Sequence, residues 1–210
     1  MYKISITPDE ITALPKGAFG GSITVIDKLG PEFDRAIRYL RNQRLIGFDT
    51  ETKPVFTPDH HHHLTALLQL SGPSKAFLFR VKDIGMPKKL CSLLASPNVI
   101  KVGAAVGDDI RGLQNYYRFS PASFVDLQSI GWEYGIRDKS VKKMAAIILG
   151  IHISKSQQMS NWEAEVLSEA QKSYAATDAW VCREMYLKLM ASERNPLTQE
   201  QLNPHPENQQ

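Results

Sequence analysis

Apolar residues recur with two different periods along this chain, and each period predicts one type of element. A period of two residues, or an unbroken apolar block, indicates a strand, whereas recurrence every three to four residues indicates a helix. Strands are predicted over residues 22–26, 44–52, 64–70, 76–81, 99–106 and 124–127, and helices over residues 31–42, 87–95, 108–117, 140–149 and 168–190. A three-stranded meander and a later alternation of strands and helices favour an α/β fold, with a mixed five- or six-stranded sheet flanked by helices.

The two ends of the chain break this pattern. Residues 1–20 are rich in proline and glycine, which predicts an irregular N-terminal arm. Residues 192–210 are polar and rich in Pro, Asn and Gln, which predicts a frayed tail. One domain is therefore expected over residues 21–191, and within it residues 54–63, with two prolines and four successive histidines, are expected to form a solvated loop.

Composition predicts more about where the protein is located than about its activity. No apolar stretch is long enough to span a membrane and no basic-then-apolar leader is present, so we expect a soluble, non-exported protein with no membrane partner. Cys91 and Cys182 lie in apolar helical segments, which predicts buried thiols and favours a reducing compartment, the cytoplasm. The net charge of +3 permits a polyanionic partner without predicting one.

A pair of carboxylates follows the apolar half of the strand predicted over residues 44–52. Side chains two positions apart on a strand share a face, so Asp49 and Glu51 are expected to lie side by side. Like charges held this close are costly unless a cation lies between them. The pair therefore predicts a divalent metal ion.

Two further acids occupy helical positions where the pattern predicts apolar residues. Asp178 falls on the inward stripe of the last helix, one turn after Tyr174, so that both side chains can address one site. That stripe comprises Ala170, Tyr174, Asp178, Val181, Met185 and Leu189. On the helix predicted from residue 108, Asp109 faces inward, whereas Asp108 suits the N-cap with Arg111 on its outer side.

Four acids from three separated elements are thus predicted to face the core: Asp49, Glu51, Asp109 and Asp178. Any one of them alone would be an ordinary surface or capped acid, but the set is not. Oxygen ligands without Cys or a helical His pair indicate Mg²⁺ or Mn²⁺ rather than zinc. Two such ions can hydrolyse a phosphodiester, with one activating water and the other stabilising the leaving oxygen. Tyr174 would orient that water, because a phenol with a pKa near ~10 is a poor base at neutral pH.

The segments that carry these residues resemble the three motifs of the DEDD 3′–5′ exonucleases. The segments are FDTET with Asp49 and Glu51, VGAAVGDDIRGL with Asp109, and YAATDAW with Tyr174 and Asp178. Tyrosine at the position where the other subgroup has histidine indicates the tyrosine subgroup. LLQL followed by FLFRV, and KSQQMSNW before the last motif, look closest to the Werner-type exonuclease domain, with ribonuclease D a more distant match.

The resemblance implies a ribonuclease H-like fold and two ions, Mg²⁺ or Mn²⁺, held by the four acids. It implies attack of a Tyr174-oriented water on the terminal phosphodiester, releasing nucleoside 5′-monophosphates. Single-stranded or 3′-recessed DNA is the expected partner, in DNA repair, because residues 104–107 lack the polar residues that many ribonuclease D members carry there. The alternatives are an exoribonuclease of ribonuclease D type and a non-catalytic nucleic-acid-binding domain.

Substrate contacts are expected from four residues near these motifs. In the family the first-motif Glu usually also touches the terminal sugar, which implies this role for Glu51, and Thr50 lies beside it. Lys155 and Trp162 precede the last helix, where a lysine can meet phosphate and a tryptophan can stack on a base. The alternatives are a solvated lysine and a tryptophan anchored in the core. Asp126 is expected to be a turn or cap residue rather than a metal ligand.

Overall fold

A six-stranded mixed sheet forms the frame of the protein in the computed structural model, which describes residues 1–52, 54 and 64–203. The strands are β1 (Ser22–Ile26), β2 (Leu45–Thr52), β3 (Thr65–Ser71), β4 (Lys75–Phe79), β5 (Ile100–Gly103) and β6 (Phe124–Asp126). Their order is β1-β4-β3-β2-β5-β6, in which β3 is antiparallel to both of its neighbours and the other pairs are parallel. The predicted meander is therefore β2-β3-β4, and the prediction of a mixed sheet is confirmed.

Helices cover both faces of the sheet. They are α1 (Pro8–Thr12), α2 (Pro31–Arg41), α3 (Val81–Ile84), α4 (Lys88–Leu94), α5 (Val106–Gln114), α6 (Leu127–Ile130), α7 (Val141–Leu149), α8 (Glu169–Met190) and α9 (Gln199–Leu202), with a 3₁₀ turn at Gly131–Tyr134. Along β2, Ile46 and Phe48 enter the core shared with α2 and α4, whereas Leu45 enters the core shared with α7 and α8. By the alternation of a strand, Asp49 points to the same side as Leu45, towards α8.

Helix α8 approaches β2 closely at one glycine. A Cβ atom at Gly47 would collide with the backbone carbonyl of Ala179, so a side chain at this position would force the helix away from the strand. The start of the helix is fixed by a capping box, in which the Ser168 hydroxyl accepts from the Gln171 backbone N–H and the Gln171 side chain accepts from that of Ser168. Because Asp178 directly precedes Ala179, this packing brings it to β2.

The N-terminal arm is irregular as predicted apart from one short helix, but it is packed against the domain rather than lying outside its core. Helix α1 lies within it, and Ile6, Ile11 and Phe19 are buried. The backbone N–H of Phe19 donates to the Thr177 hydroxyl of α8 at 3.0 Å. These apolar residues are too widely spaced to give a periodic signal, and a partner such as Thr177 lies far away in the chain.

The C-terminal segment also packs over its described residues, 192–203, where a frayed tail was predicted. The backbone N–H groups of Asn195 and Leu197 donate to the carbonyls of Glu133 and Trp132, both at 2.9 Å, and the Leu197 side chain is buried. A polar composition concealed this contact, because it depends on one leucine and on backbone groups. The bounds predicted for the domain, 21–191, stay a prediction.

Several smaller expectations have mixed outcomes. Three strands end earlier than predicted, because Val81, Val106 and Leu127 begin α3, α5 and α6. Cys91 and Cys182 are buried free thiols, as predicted. The loop predicted over residues 54–63 lies outside the described residues, apart from Pro54. Within the described part of the chain, no helix has the length and apolar character needed to cross a membrane.

Candidate active site

Three of the predicted acids converge where β2 meets α8. Asp49 and Glu51 lie on the same face of β2, and Asp178 approaches them from α8. One carboxylate oxygen from each residue lies within 4.8 Å of the other two. Such a cluster of oxygens, drawn from two elements, has the spacing expected for ligands of one cation.

Tyr174 lies one helical turn before Asp178 and faces the same cleft. Its hydroxyl interacts with the Asp178 carboxylate, which helps to hold the pKa of that carboxyl down against the effect of burial. Burial and the neighbouring acids, Asp178 and Glu51 foremost, raise the pKa of Tyr174 above its ordinary value. The phenol is therefore neutral at physiological pH, and it can donate or accept a hydrogen bond without acting as a free base.

Asp109 reaches the site from the first turn of α5 and is held by the strand that carries the other acids. The Thr50 hydroxyl of β2 donates to Asp109 Oδ1 at 2.5 Å. Thr50 also lines the cleft, but with its hydroxyl engaged by Asp109 its substrate contact stays a prediction. Asp109 therefore stands beside the three-acid cluster rather than within it.

The start of α5 differs from the prediction. Its N-cap is Ala105, in the left-handed conformation with φ 58°, and not Asp108. The Ala105 N–H donates to Asp126 Oδ1 at 3.0 Å, and the same oxygen accepts from the Gln128 N–H at 2.9 Å. Asp126 is thus a cap, as predicted, and it fixes the turn that aims Asp109 at the site. Asp108 forms the predicted outward ion pair with Arg111.

All four acids of the site have raised pKa values. Burial, reinforced by Asp178 and Glu51, raises the pKa of Asp49 well above its usual range. Burial, and then Asp178 and Asp109, raises the pKa of Glu51 to about 8. Burial also raises the pKa of Asp178 to about 7 and of Asp109 to about 6, although hydrogen bonds from Tyr174 and Thr50 act in the opposite direction. The carboxylates therefore repel one another when all are charged.

These residues fit a divalent cation. The clustered donors are carboxylate oxygens alone, which is the ligand set of Mg²⁺ and Mn²⁺ and not of zinc. A cation among Asp49, Glu51 and Asp178 would offset the repulsion between their charged carboxylates, which is one cause of their raised pKa values. Asp109 stands close enough to influence the same charge, since it contributes to the raised pKa values of both Asp49 and Glu51.

A cleft of about 260 Å³ opens over the acids, and we call it the catalytic cleft. Its far wall includes Ser140 and Lys142, at the start of α7, and Ser154 and Lys155 from the loop before α8. Lys155 is close enough to lower the pKa of Asp178 by its positive charge. Its predicted role at a substrate phosphate is therefore compatible with its position.

A family described as 3′–5′ exonuclease matches residues 30–192. The chain belongs to the 3′–5′ exonuclease family. Its members depend on divalent metal ions, in keeping with the acidic cluster. Membership favours catalysis over the alternative of a non-catalytic binding domain.

Three individual proteins illustrate the relationship. The exonuclease is 29% identical over 150 residues to the bifunctional 3′–5′ exonuclease/ATP-dependent helicase WRN of Mus musculus, a match that covers 69% of this chain and 11% of that protein. It is 33% identical over 150 residues to the exonuclease 3′–5′ domain-containing protein 2 of Drosophila melanogaster, covering 70% and 25%. The crystal structure of Escherichia coli RNase D superposes with a TM-score of 0.72 at 24% identity, covering 81% of this chain and 44% of that one.

These likenesses decide the fold but not the finer assignment. The fold is ribonuclease H-like, as the resemblance implied. The chain spans only 11% and 25% of the length of the two curated relatives. The tyrosine subgroup, which rests on Tyr174, and the greater closeness to Werner-type domains than to ribonuclease D stay predictions.

Trp162 of the exonuclease is buried, which favours the alternative of a core anchor, and its contact with a base stays a prediction. Its side chain has 0% exposure and packs among Leu67, Leu167 and Ala175. The sequence left both readings open because a tryptophan in a loop before a functional helix is consistent with either.

Gln69 is a polar residue next to the acids, and no sequence pattern singled it out. It lies directly opposite Asp49 in the β2-β3 ladder, and paired residues of an antiparallel ladder point to the same face. Its side chain is fully buried, and neither atom of its amide has a hydrogen-bond partner among the described residues. The apolar residues around it in LLQL hid this position, because the segment reads as a wholly buried strand.

Proposed function

We propose that the exonuclease hydrolyses the terminal phosphodiester at the 3′ end of DNA with two bound divalent cations, Mg²⁺ or Mn²⁺, releasing nucleoside 5′-monophosphates. The observation that carries the proposal is the convergence of Asp49, Glu51 and Asp178 on one cleft with Tyr174, while Asp109 is held beside them by Thr50. Single-stranded and 3′-recessed DNA are the proposed substrates, and the likeness to the WRN protein supports that choice.

Each residue of the cleft has a role in this reaction. Asp49, Glu51 and Asp178 would hold one cation, and Asp109 with Asp49 would hold the second. When bound, the cations would supply the positive charge that activates water and stabilises the leaving oxygen. Tyr174 orients the attacking water through its neutral hydroxyl.

The substrate is held by the remaining groups of the catalytic cleft. Lys155 on the opposite wall meets a phosphate oxygen, where its charge also offsets that of the acids. Glu51 would touch the terminal sugar as well as the cation, as the resemblance to the family implies. These contacts align the phosphodiester with the oriented water, which is the main requirement of a hydrolysis that proceeds by positioning and charge stabilisation.

A second candidate is an exoribonuclease, and the similarity of fold to RNase D favours it. That protein is described as an exoribonuclease involved in structured RNA processing. The chemistry would be the same, so the difference lies in the tolerance of the cleft for the sugar 2′-hydroxyl.

The test is to incubate 5′-labelled single-stranded and 3′-recessed DNA, and RNA of the same sequence, with Mg²⁺ or Mn²⁺. We expect stepwise shortening from the 3′ end, faster on DNA than on RNA, and none with Asp49→Asn. Faster shortening of RNA would favour the exoribonuclease. If neither polymer is shortened, or if Asp49→Asn is as active as the wild type, the proposed function is wrong.

A cytoplasmic location and a role in DNA repair belong to the same proposal. The location rests on the two buried free thiols and the role on the resemblance to Werner-type domains. Fractionation of the native protein and the sensitivity of deletion cells to DNA damage would test them separately.

A further inference from the structure

The N-terminal arm is fixed against the loop that carries Lys155. The Gly17 N–H donates to the His152 carbonyl at 3.0 Å, and the His152 N–H donates to the Pro15 carbonyl at 2.9 Å. A Cβ at Gly17 would stand 2.5 Å from the Ile151 side chain, so the glycine backbone lies directly against that side chain. Two residues further on, the Phe19 ring packs on Trp180 of α8, with 6.1 Å between ring centroids. The arm therefore forms a firm wall.

A groove of about 400 Å³ lies between this wall and the loop, and we call it the arm groove. It is lined by Lys16, Gly17, Ala18, His152, Ser154 and Lys155. Ser154 and Lys155 also line the catalytic cleft. The two depressions therefore adjoin each other at Ser154 and Lys155.

The charge of the arm groove is opposite to that of the acid cluster. Of the described residues that line it, two are lysines, one is a histidine and none is acidic. The remaining lining residues are Gly17, Ala18 and Ser154, whose small side chains leave room for a sugar or a base. A lining that combines two lysines with small residues suits a sugar-phosphate chain.

We propose that the arm groove binds the nucleic-acid strand next to the scissile phosphodiester, with Lys16 contacting a backbone phosphate. The inference rests on the proposed function, because the groove adjoins the catalytic cleft. It goes beyond the family relationship, since the arm lies before residues 30–192, which the family matches. Charge complementarity and a position next to the catalytic cleft favour the substrate strand over a protein as the occupant.

The test compares Lys16→Ala and Lys16→Glu with Lys188→Ala. Lys188 is an exposed lysine of the last turn of α8, about 21 Å along the helix axis from Tyr174. The substrates are a single-stranded oligonucleotide and bis(p-nitrophenyl) phosphate, a phosphodiester too small to reach from the acids into the arm groove. The KM, the kcat and the dependence of KM on salt concentration are measured for each, and thermal melting confirms that the variants fold.

For the oligonucleotide, we expect Lys16→Ala to raise the KM about 3- to 5-fold at low ionic strength, with kcat unchanged. The slope of log KM against log salt should fall by about 0.7, the value for one phosphate contact on a single strand. Lys16→Glu should have a larger effect, Lys188→Ala none, and hydrolysis of the small phosphodiester should stay as in the wild type.

Two results would overturn the inference and leave the proposed function intact. In the first, both Lys16 variants shorten the oligonucleotide with the same KM and the same salt slope as Lys188→Ala. The second is an equal loss on the small phosphodiester, which would place the effect of Lys16 at the acids. A wild-type protein that shortens no oligonucleotide would overturn both the groove and the proposed function.

Discussion

The indole ring of Trp162 lies against the phenol ring of Tyr174, with 5.9 Å between the ring centroids and 38° between the ring planes. The loop that carries Trp162 is held in turn by Arg80, whose buried guanidinium donates to the carbonyls of Ala164 at 2.6 Å and Glu165 at 3.3 Å. Lys82 donates to the Glu163 carbonyl at 2.9 Å. The position of the Tyr174 phenol therefore depends on a loop that is itself fixed by residues following β4.

Trp162→Phe should lower the kcat of the exonuclease and leave its KM for DNA nearly unchanged. The smaller ring leaves a gap behind Tyr174 and should reduce the free energy of unfolding by about 1–3 kcal/mol. Steady-state kinetics and urea denaturation measure the two effects. Trp132→Phe is the matched control, because Trp132 is 42% exposed and distant in sequence from the site. A raised KM with an unchanged kcat would instead indicate that Trp162 contacts a base.

Tyr174→Phe should reduce kcat roughly 10²-fold, since the variant keeps the ring but loses the hydroxyl that orients water. Because the pKa of Tyr174 is raised, the hydroxyl stays protonated between pH 6 and 9, and the shape of the pH–rate profile should not change. Tyr117→Phe, at an exposed tyrosine, is the control. Loss of one limb of the profile in Tyr174→Phe would show that ionisation of the phenol is part of the reaction.

Asp49→Asn should abolish activity and yet stabilise the protein when no cation is bound. Its charge lies among Glu51, Asp178 and Asp109, so its removal relieves repulsion. In EDTA at pH 8 we expect the free energy of unfolding to rise by about 1–3 kcal/mol. With Mn²⁺ the order should reverse, because only the wild type gains from binding. Calorimetric melting under both conditions measures these stabilities, with Asp27→Asn as an exposed control. An Asp49→Asn variant that is less stable than the wild type in EDTA would refute the prediction.

The stability of the cation-free protein should fall as the pH rises from 5 to 7.5. Carboxyls that titrate near ~4 in the unfolded chain retain protons in the folded state, because the pKa is about 6 for Asp109, about 7 for Asp178 and about 8 for Glu51. The folded state then binds more protons than the unfolded state, so stability is greatest below pH 4 for these groups and is lost towards pH 8. Lys143 lowers the pKa of Asp138, so this group changes the stability only at more acidic pH.

Denaturation in EDTA at pH 5, 6, 7 and 7.5 measures this dependence. Repeating the series with Mg²⁺ or Mn²⁺ should flatten it, because the cation keeps the carboxylates charged in the folded state. A stability that rises with pH in EDTA would contradict the electrostatic account of the cluster.

The acids of the site were predictable because they are polar residues in segments with a strong apolar pattern. Asp49 and Glu51 continue an apolar strand, and Asp178 interrupts the apolar stripe of a helix that extends from Glu169 to Met190. On a long periodic element, one polar residue on the wrong face is visible without knowledge of the rest of the chain.

What surrounds the acids could not be predicted, because it depends on contacts between distant parts of the chain. The left-handed Ala105 is stabilised by Asp126, which lies 21 positions away. The arm is fixed by Thr177 and by the backbone of His152. Local periods carry no information about such partners, and for this reason neither the packing of the arm nor the start of α5 was predicted.

Gly47→Ala should destabilise the exonuclease by about 3 kcal/mol or more and reduce its activity. The new methyl group would meet the carbonyl of Ala179, and relief of the collision would move Asp178 away from β2. Gly20→Ala is the matched control, because a Cβ there has no neighbour within 4 Å. Denaturation midpoints and cation affinity measure the two consequences. Equal stability of the two variants would show that the helix is not seated on β2 as described.

The alternation along β2 also bears on how reliably the protein folds. Phe48 belongs to the hydrophobic core, and Asp49 next to it belongs to the catalytic cleft. A slip of one residue in strand pairing would preserve the backbone ladder but bury Asp49 and Glu51 in hydrocarbon and expose Phe48. The cost of that error is large because these residues are charged. The acids that serve hydrolysis therefore also discriminate against misregistered molecules, and a single-residue insertion in β2 should be less tolerated than one in any neighbouring loop.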